Sequence, residues 1–224
     1  MKENDLNKIA FSKNKNDKDI ISKFLKGEIS SKLKNTLSKF LDKMRSPLAI
    51  RSSSLLEDSQ YQPLSGMYAT YMLPNSNRSK TKRLNELIKA IKLVYASTYL
   101  KEPRSLIEKS VHRHEEEKMA VIIMELIGKK HQDRFYPSAS GLAQSYNYYP
   151  VSYMKRNEGV AYLALGLGRT IAEGDKSLRF SPKYPDIIPQ YFSMRSTIEN
   201  SQNQFYALDL KRGSDLLNKN AENT

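Results

Sequence analysis

The residues of this 224-residue chain best suited to chemistry stand together between positions 48 and 71, in LAIRSSSLLEDS followed by QYQPLSGMYATY. Arg51 offers a planar fork of donors that matches phosphate oxygens, and Ser52, Ser53 and Ser54 add short hydroxyls able to bond the same anion. Gly66 follows as a turn where backbone can approach a ligand closely. Type and spacing outline phosphate chemistry, while a strand ending in a polar loop with one solvated arginine is the plainer reading of the same residues. His112 and His114, in VHRHEEEK, imitate a metal-binding pair, but no third ligand is in view and the segment reads as a charged connector, as does KKHQDR around His131. The chain has no cysteine, which excludes disulfides, a thiolate nucleophile and a Cys-based zinc site.

The elements that must hold these residues follow from periodicity. Leu33, Leu37, Phe40, Leu41 and Met44 form a helical stripe with Ser30 or Ser31 available as cap. Pro47 ends that helix, and Leu48, Ala49 and Ile50 begin a buried strand that leaves Arg51 at its end. A second helix is predicted over residues 80–100, with Leu84, Leu87, Ile88, Ile91, Val94, Tyr95 and Thr98 on one face. Pro103 opens a short helix to residue 110, and residues 119–127 are a continuous apolar run of strand length. Residues 141–148, 159–165 and 205–210 are further strand candidates, the first two separated by the turn KRNEG. Residues 1–29 are expected to be a weakly ordered lead-in, 30–212 the folded domain and 213–224 a polar tail. Helices and antiparallel-looking strands in this order fit an α+β domain.

Composition narrows the partner. With 37 basic and 24 acidic residues the chain carries a formal +13 and a pI near 9.6, which favours an anionic ligand, although the lysines are scattered and mostly solvating. Hydrophobic residues make up 39% and mean hydropathy is −0.64, values of a soluble protein with polar margins. No apolar run reaches the ~18 residues of a spanning helix, and the lysine-rich N-terminus lacks the apolar centre of a signal peptide, so a cytoplasmic protein without a membrane partner is expected.

The strings also resemble a known family. Ala49-Ile50-Arg51-Ser52-Ser53-Ser54, Glu57-Asp58 and Ser65-Gly66-Met67-Tyr68-Ala69-Thr70 resemble the Arg-Ser-Ser and Glu-Asp signature of the ATP-binding domain in phosphoenolpyruvate synthase and pyruvate phosphate dikinase. AIKLVYASTY, EKMAVIIMELIG, SGLAQSYN and ALGLGRTIAEG resemble that family's later motifs in the same order, covering roughly residues 46–185. The resemblance implies an ATP-grasp-like fold, here incomplete because the Gly-Gly-Lys-Gly segment of the first lobe has no counterpart. The chain is accordingly expected to be one piece of a larger protein whose phosphohistidine and phosphoenolpyruvate/pyruvate domains are its partners.

By the same resemblance Arg51, Ser52, Gly66 and Thr70 address the phosphates of ATP, with Arg51 also the catalytic candidate. Met124, Glu125, Leu126 and Ile127 match the adenine hinge, Met124 replacing a glutamine; Met124 and Ile127 suit core packing equally well. Arg169, in GLGRTIAEG, stands where the family has an acid and either neutralises phosphate or pairs with Glu173 at i,i+4. The family's other acids and its arginine are replaced as well, by Ala69, Tyr162 and Tyr146, which puts magnesium in doubt and leaves Glu57, Asp58, Glu173 and Asp175 as the nearest oxygen donors. The implied function is phosphoryl transfer from ATP to a histidine on a partner domain. A catalytically degenerate nucleotide-binding or scaffold module is the alternative, and a basic nucleic-acid-binding module, without a recognisable motif, is third.

Overall fold

A computed structural model describes residues 6, 10, 16–55, 67–109 and 117–211. The described residues up to Leu126 form one compact unit, and those from Ile127 to Lys211 a second. Both mix helices with small antiparallel sheets.

In the first unit, helix α1 (Asp17–Lys26) begins at Asn16, whose side chain accepts from the Asp19 amide at 2.8 Å. Asp17 and Asp19 in its first turn and Lys23 and Lys26 in its last complement the helix dipole. Where the sequence reading has a weakly ordered lead-in, Ile20 and Phe24 are buried and Phe24 stacks on Tyr99 with ring centroids 5.6 Å apart. Two apolar residues at i,i+4 among many lysines make a short stripe, easily overlooked until a partner ring covers it.

Helix α2 (Ser31–Lys43) is capped by Ser30, which accepts from the Leu33 amide at 3.3 Å. It buries Leu37 and Leu41, while Leu33 stays exposed. Strand β1 (Leu48–Ser54) lies between β2 (Tyr71–Leu73) and β3 (Met119–Glu125), antiparallel to both. Helix α3 (Lys80–Ser97), capped by Ser79, lays Leu84, Leu87, Ala90, Ile91, Leu93 and Val94 against Leu48, Ile50 and Leu73 to form the core. Tyr95, expected on the apolar face, is exposed. Helix α4 (Lys101–Glu108) starts two residues ahead of Pro103, which sits in the first turn where a missing amide proton costs nothing.

The second unit holds two three-stranded sheets. One orders β4 (Lys129–His131), β5 (Arg134–Tyr136) and β9 (Leu208–Asp209); the other orders β6 (Ser140–Gln144), β7 (Val160–Ala164) and β8 (Leu178–Phe180). Helix α5 (Arg169–Glu173) follows β7, and helix α6 (Met194–Asn200) precedes β9. The strands are shorter than the apolar patterns suggested: β6 stops at Gln144 instead of 148, and only Leu208 and Asp209 pair in the last. His131, read as a solvated loop residue, ends β4 with its ring 4.2 Å from that of Tyr136. Among the described residues no helix is long and apolar enough to cross a membrane.

Candidate functional site

The pleat of β1 sorts its residues onto two faces. Leu48 and Ile50 are fully buried beneath α3, so Ala49, Arg51 and Ser53 occupy the opposite face. The register across β3 sets Ala49 opposite Met124, Arg51 opposite Ile122 and Ser53 opposite Ala120. This face is open around Arg51, where Ile122 is 46% and Met124 44% exposed, and closed at Ala49, which is buried. Arg51 is exposed there, and among the described residues none accepts a hydrogen bond from it. An uncommitted guanidinium beside a flat apolar patch can take an anion and a planar ring together.

The same alternation separates Ser52 from Arg51. Ser52 pairs with Val121 on the helix side of the sheet, and it is Ser53 that shares a face with the arginine. Ser54 is buried and donates to Glu117 Oε2 at 3.1 Å. Three adjacent serines cannot line one face of a strand, because each step reverses direction.

A family model described as pyruvate phosphate dikinase, AMP/ATP-binding domain, matches residues 1–222. The chain belongs to that family. It is thus an AMP/ATP-binding domain of the phosphoenolpyruvate synthase and pyruvate phosphate dikinase type. No curated protein matches it.

For this AMP/ATP-binding domain the remaining candidates fall as follows. Thr70 is half-buried and leads into β2; its neighbour Ala69 donates its amide to Ser97 Oγ at 3.2 Å. Glu125 closes β3, exposed, in register with Leu48. The amide of Leu126, one of the four residues matched to the adenine hinge, donates to the Pro47 carbonyl at 2.9 Å, continuing the β1–β3 pairing past the strand end. Ile127 belongs to the second unit and is 76% exposed, which removes the core-packing alternative for it. Gly66, Glu57, Asp58, His112 and His114 lie outside the described residues.

Arg169, also in the second unit, opens α5 and donates from Nε to Glu173 Oε1 at 2.6 Å, the i,i+4 pair that the spacing allowed. Its guanidinium lies 4.7 Å from the centre of the Tyr206 ring. The Tyr206 hydroxyl is 3.2 Å from both Glu173 Oε2 and Asp175 Oδ2. Desolvation, followed by those two carboxylates, pushes the Tyr206 hydroxyl above the usual tyrosine range. Glu173 and Asp175 are therefore committed to an arginine and a phenol. Among the described residues no group of three or more His, Asp or Glu side chains is placed to hold a metal ion.

Glu117 received no role from the sequence, where it ends the acids of VHRHEEEK and begins the string EKMAVIIMELIG. It lies in phase with Met119, Val121 and Ile123, the core-facing residues of β3, and that phase was the available signal.

Proposed function

We propose that the chain binds ATP on the open face of the β2-β1-β3 sheet and serves phosphoryl transfer to a histidine on a partner domain. The supporting observation is Arg51, exposed and uncommitted on a sheet face that it shares with Ser53, Ile122 and Met124. In this reading Arg51 grips phosphate oxygens, Ser53 and Thr70 add hydroxyls, and Met124 with Glu125 flanks the base through apolar contact and main-chain groups. Gly66, Ile127 and Arg169, like an ATP-grasp arrangement of lobes, enter on the family resemblance alone. Positioning and charge neutralisation are what phosphoryl transfer needs from a protein, and an arginine carried on a paired strand supplies part of both.

The test is thermal unfolding with ATP. Saturation at about 100 times Kd adds about 2.7 kcal/mol, a shift of roughly 5–10 °C for a chain of this size. Arg51→Ala should abolish the shift; no shift at millimolar ATP in the unsubstituted protein would refute nucleotide binding.

A second reading, nucleotide binding without transfer, is favoured by one specific feature. Ala69, Tyr162 and Arg169 stand where the family carries acids, and none offers the hard oxygen that magnesium requires. Labelled ATP incubated with a histidine-bearing partner domain separates the two: bound nucleotide with no label on the partner supports the second.

A further inference from the structure

We propose that Glu117 is a positioning residue for the phosphate-directed side chains of the first unit, tying the strand of Arg51 to the segment that delivers Thr70. This rests on the nucleotide reading above.

Glu117 lies two residues before β3 and is about nine-tenths buried. One oxygen, Oε2, collects two hydroxyls: Ser54 Oγ at 3.1 Å and the phenol of Tyr68. Ser54 is the last residue of β1, three beyond Arg51. Tyr68, itself 6% exposed, stands two residues ahead of Thr70. The adjoining amide of Ala69 is held by Ser97 Oγ, which in turn donates to the Val94 carbonyl at 2.7 Å inside α3. The run from Tyr68 to Thr70 is thus fastened to the β1 end through a carboxylate and to α3 through a hydroxyl.

Packing does not explain a carboxylate here. Burying one costs several kcal/mol, which only hydrogen bonds or opposite charge offset, and a leucine would continue the core more cheaply. Its second oxygen, Oε1, is buried and meets no hydrogen-bond donor among the described residues. What the carboxylate supplies is direction: two charge-assisted hydroxyl bonds converging on one oxygen fix both donors relative to each other. Glu117 also contributes, after burial, to holding the Tyr99 hydroxyl above the usual tyrosine range, so its charge reaches the surrounding groups.

The test is calorimetric titration of ATP into the full 224-residue chain, beside the melting temperature without ligand. Tyr68→Phe and Ser54→Ala leave the carboxylate in place and should each weaken ATP binding roughly 3- to 10-fold, with Glu117→Gln at least as damaging. A purely structural bond would lower the melting temperature and leave affinity alone, and that result overturns the proposal. A cycle of Tyr68→Phe with Arg51→Lys supplies the second reading: positioning through Arg51 predicts losses that are less than multiplicative, whereas independent losses overturn it. If Arg51→Lys weakens ATP and Tyr68→Phe does not, only the role of Glu117 falls. If the unsubstituted chain binds no ATP, the nucleotide reading falls and this inference with it.

Discussion

Arg51 stands directly across the β1–β3 ladder from Ile122, a charged and an apolar side chain sharing an open face while their strand neighbours Ile50 and Ile123 pack toward the core. The pairing sets a cation beside an exposed apolar surface, outside the buried core of the unit.

That division predicts separable effects at Arg51. Arg51→Ala should change stability without ligand by less than about 0.5 kcal/mol, because the side chain is exposed and uncommitted. Arg51→Lys keeps the charge and loses the fork, and should lower ATP affinity roughly tenfold. Titration calorimetry of both variants measures it.

Arg83 should behave oppositely. It is 1% exposed, and its Nη1 donates to Asn75 Oδ1 at 3.2 Å and to the Met44 carbonyl at 3.2 Å. Asn75, at φ 50°, donates in turn to the carbonyls of Met44 and Ser46. The pair closes the end of α2 and aims the chain into β1. Arg83→Met should cost about 2–4 kcal/mol by leaving buried acceptors unpaired. Urea denaturation reads the loss, and an unchanged midpoint would contradict this role.

The turn before β7 should respond to acid. Glu158 accepts from the Lys155 amide at 3.0 Å and pairs with Lys183 at 3.0 Å, and these contacts, the backbone bond first, hold its carboxyl below the usual carboxylate range. A depressed folded value means that the contribution is present above the ordinary carboxylate pKa and is lost as pH falls through the folded value. Carboxyl NMR titration of Glu158 should therefore give a midpoint below that of a model glutamate, and Lys183→Ala should raise it.

Gly166 should not tolerate a side chain. Its φ is 78°, and a Cβ would meet the Tyr206 carbonyl at 2.7 Å and the Phe205 ring at 2.6 Å. The next residue, Leu167, donates its amide to that same Tyr206 carbonyl at 2.9 Å. Gly166→Ala combines left-handed strain with displacement of Tyr206, and a loss of about 1–3 kcal/mol is expected. Proteolysis of the folded protein at increasing urea would measure it.

Much of this was legible beforehand because it is local. Ser30, one of the two serines available as cap, closes α2 because a short hydroxyl reaches the amide three residues on, and the apolar stripes of α2 and α3 repeat at helical spacing. The motifs around Arg51, Met124 and Arg169 pointed to the family to which the chain belongs. Strand ends were less legible, since β6 and β9 stop where pairing partners run out, and a partner strand is not encoded in the segment itself.

The sequence by itself determined which residue types are present and in what order: an arginine with three serines, a glycine ahead of a short strand, and an apolar run long enough for another. Tertiary structure alone decided which of them share a face. The pleat of β1 parted Ser52 from Arg51, the β1–β3 register brought Ile122 and Met124 beside it, and Pro47 took up the amide of Leu126. It also drew Glu117 out of a charged run and under Ser54 and Tyr68. These contacts join residues far apart along the chain, from Ser54 and Glu117, 63 positions apart, to the still more distant Pro47 and Leu126, and no local preference contains them.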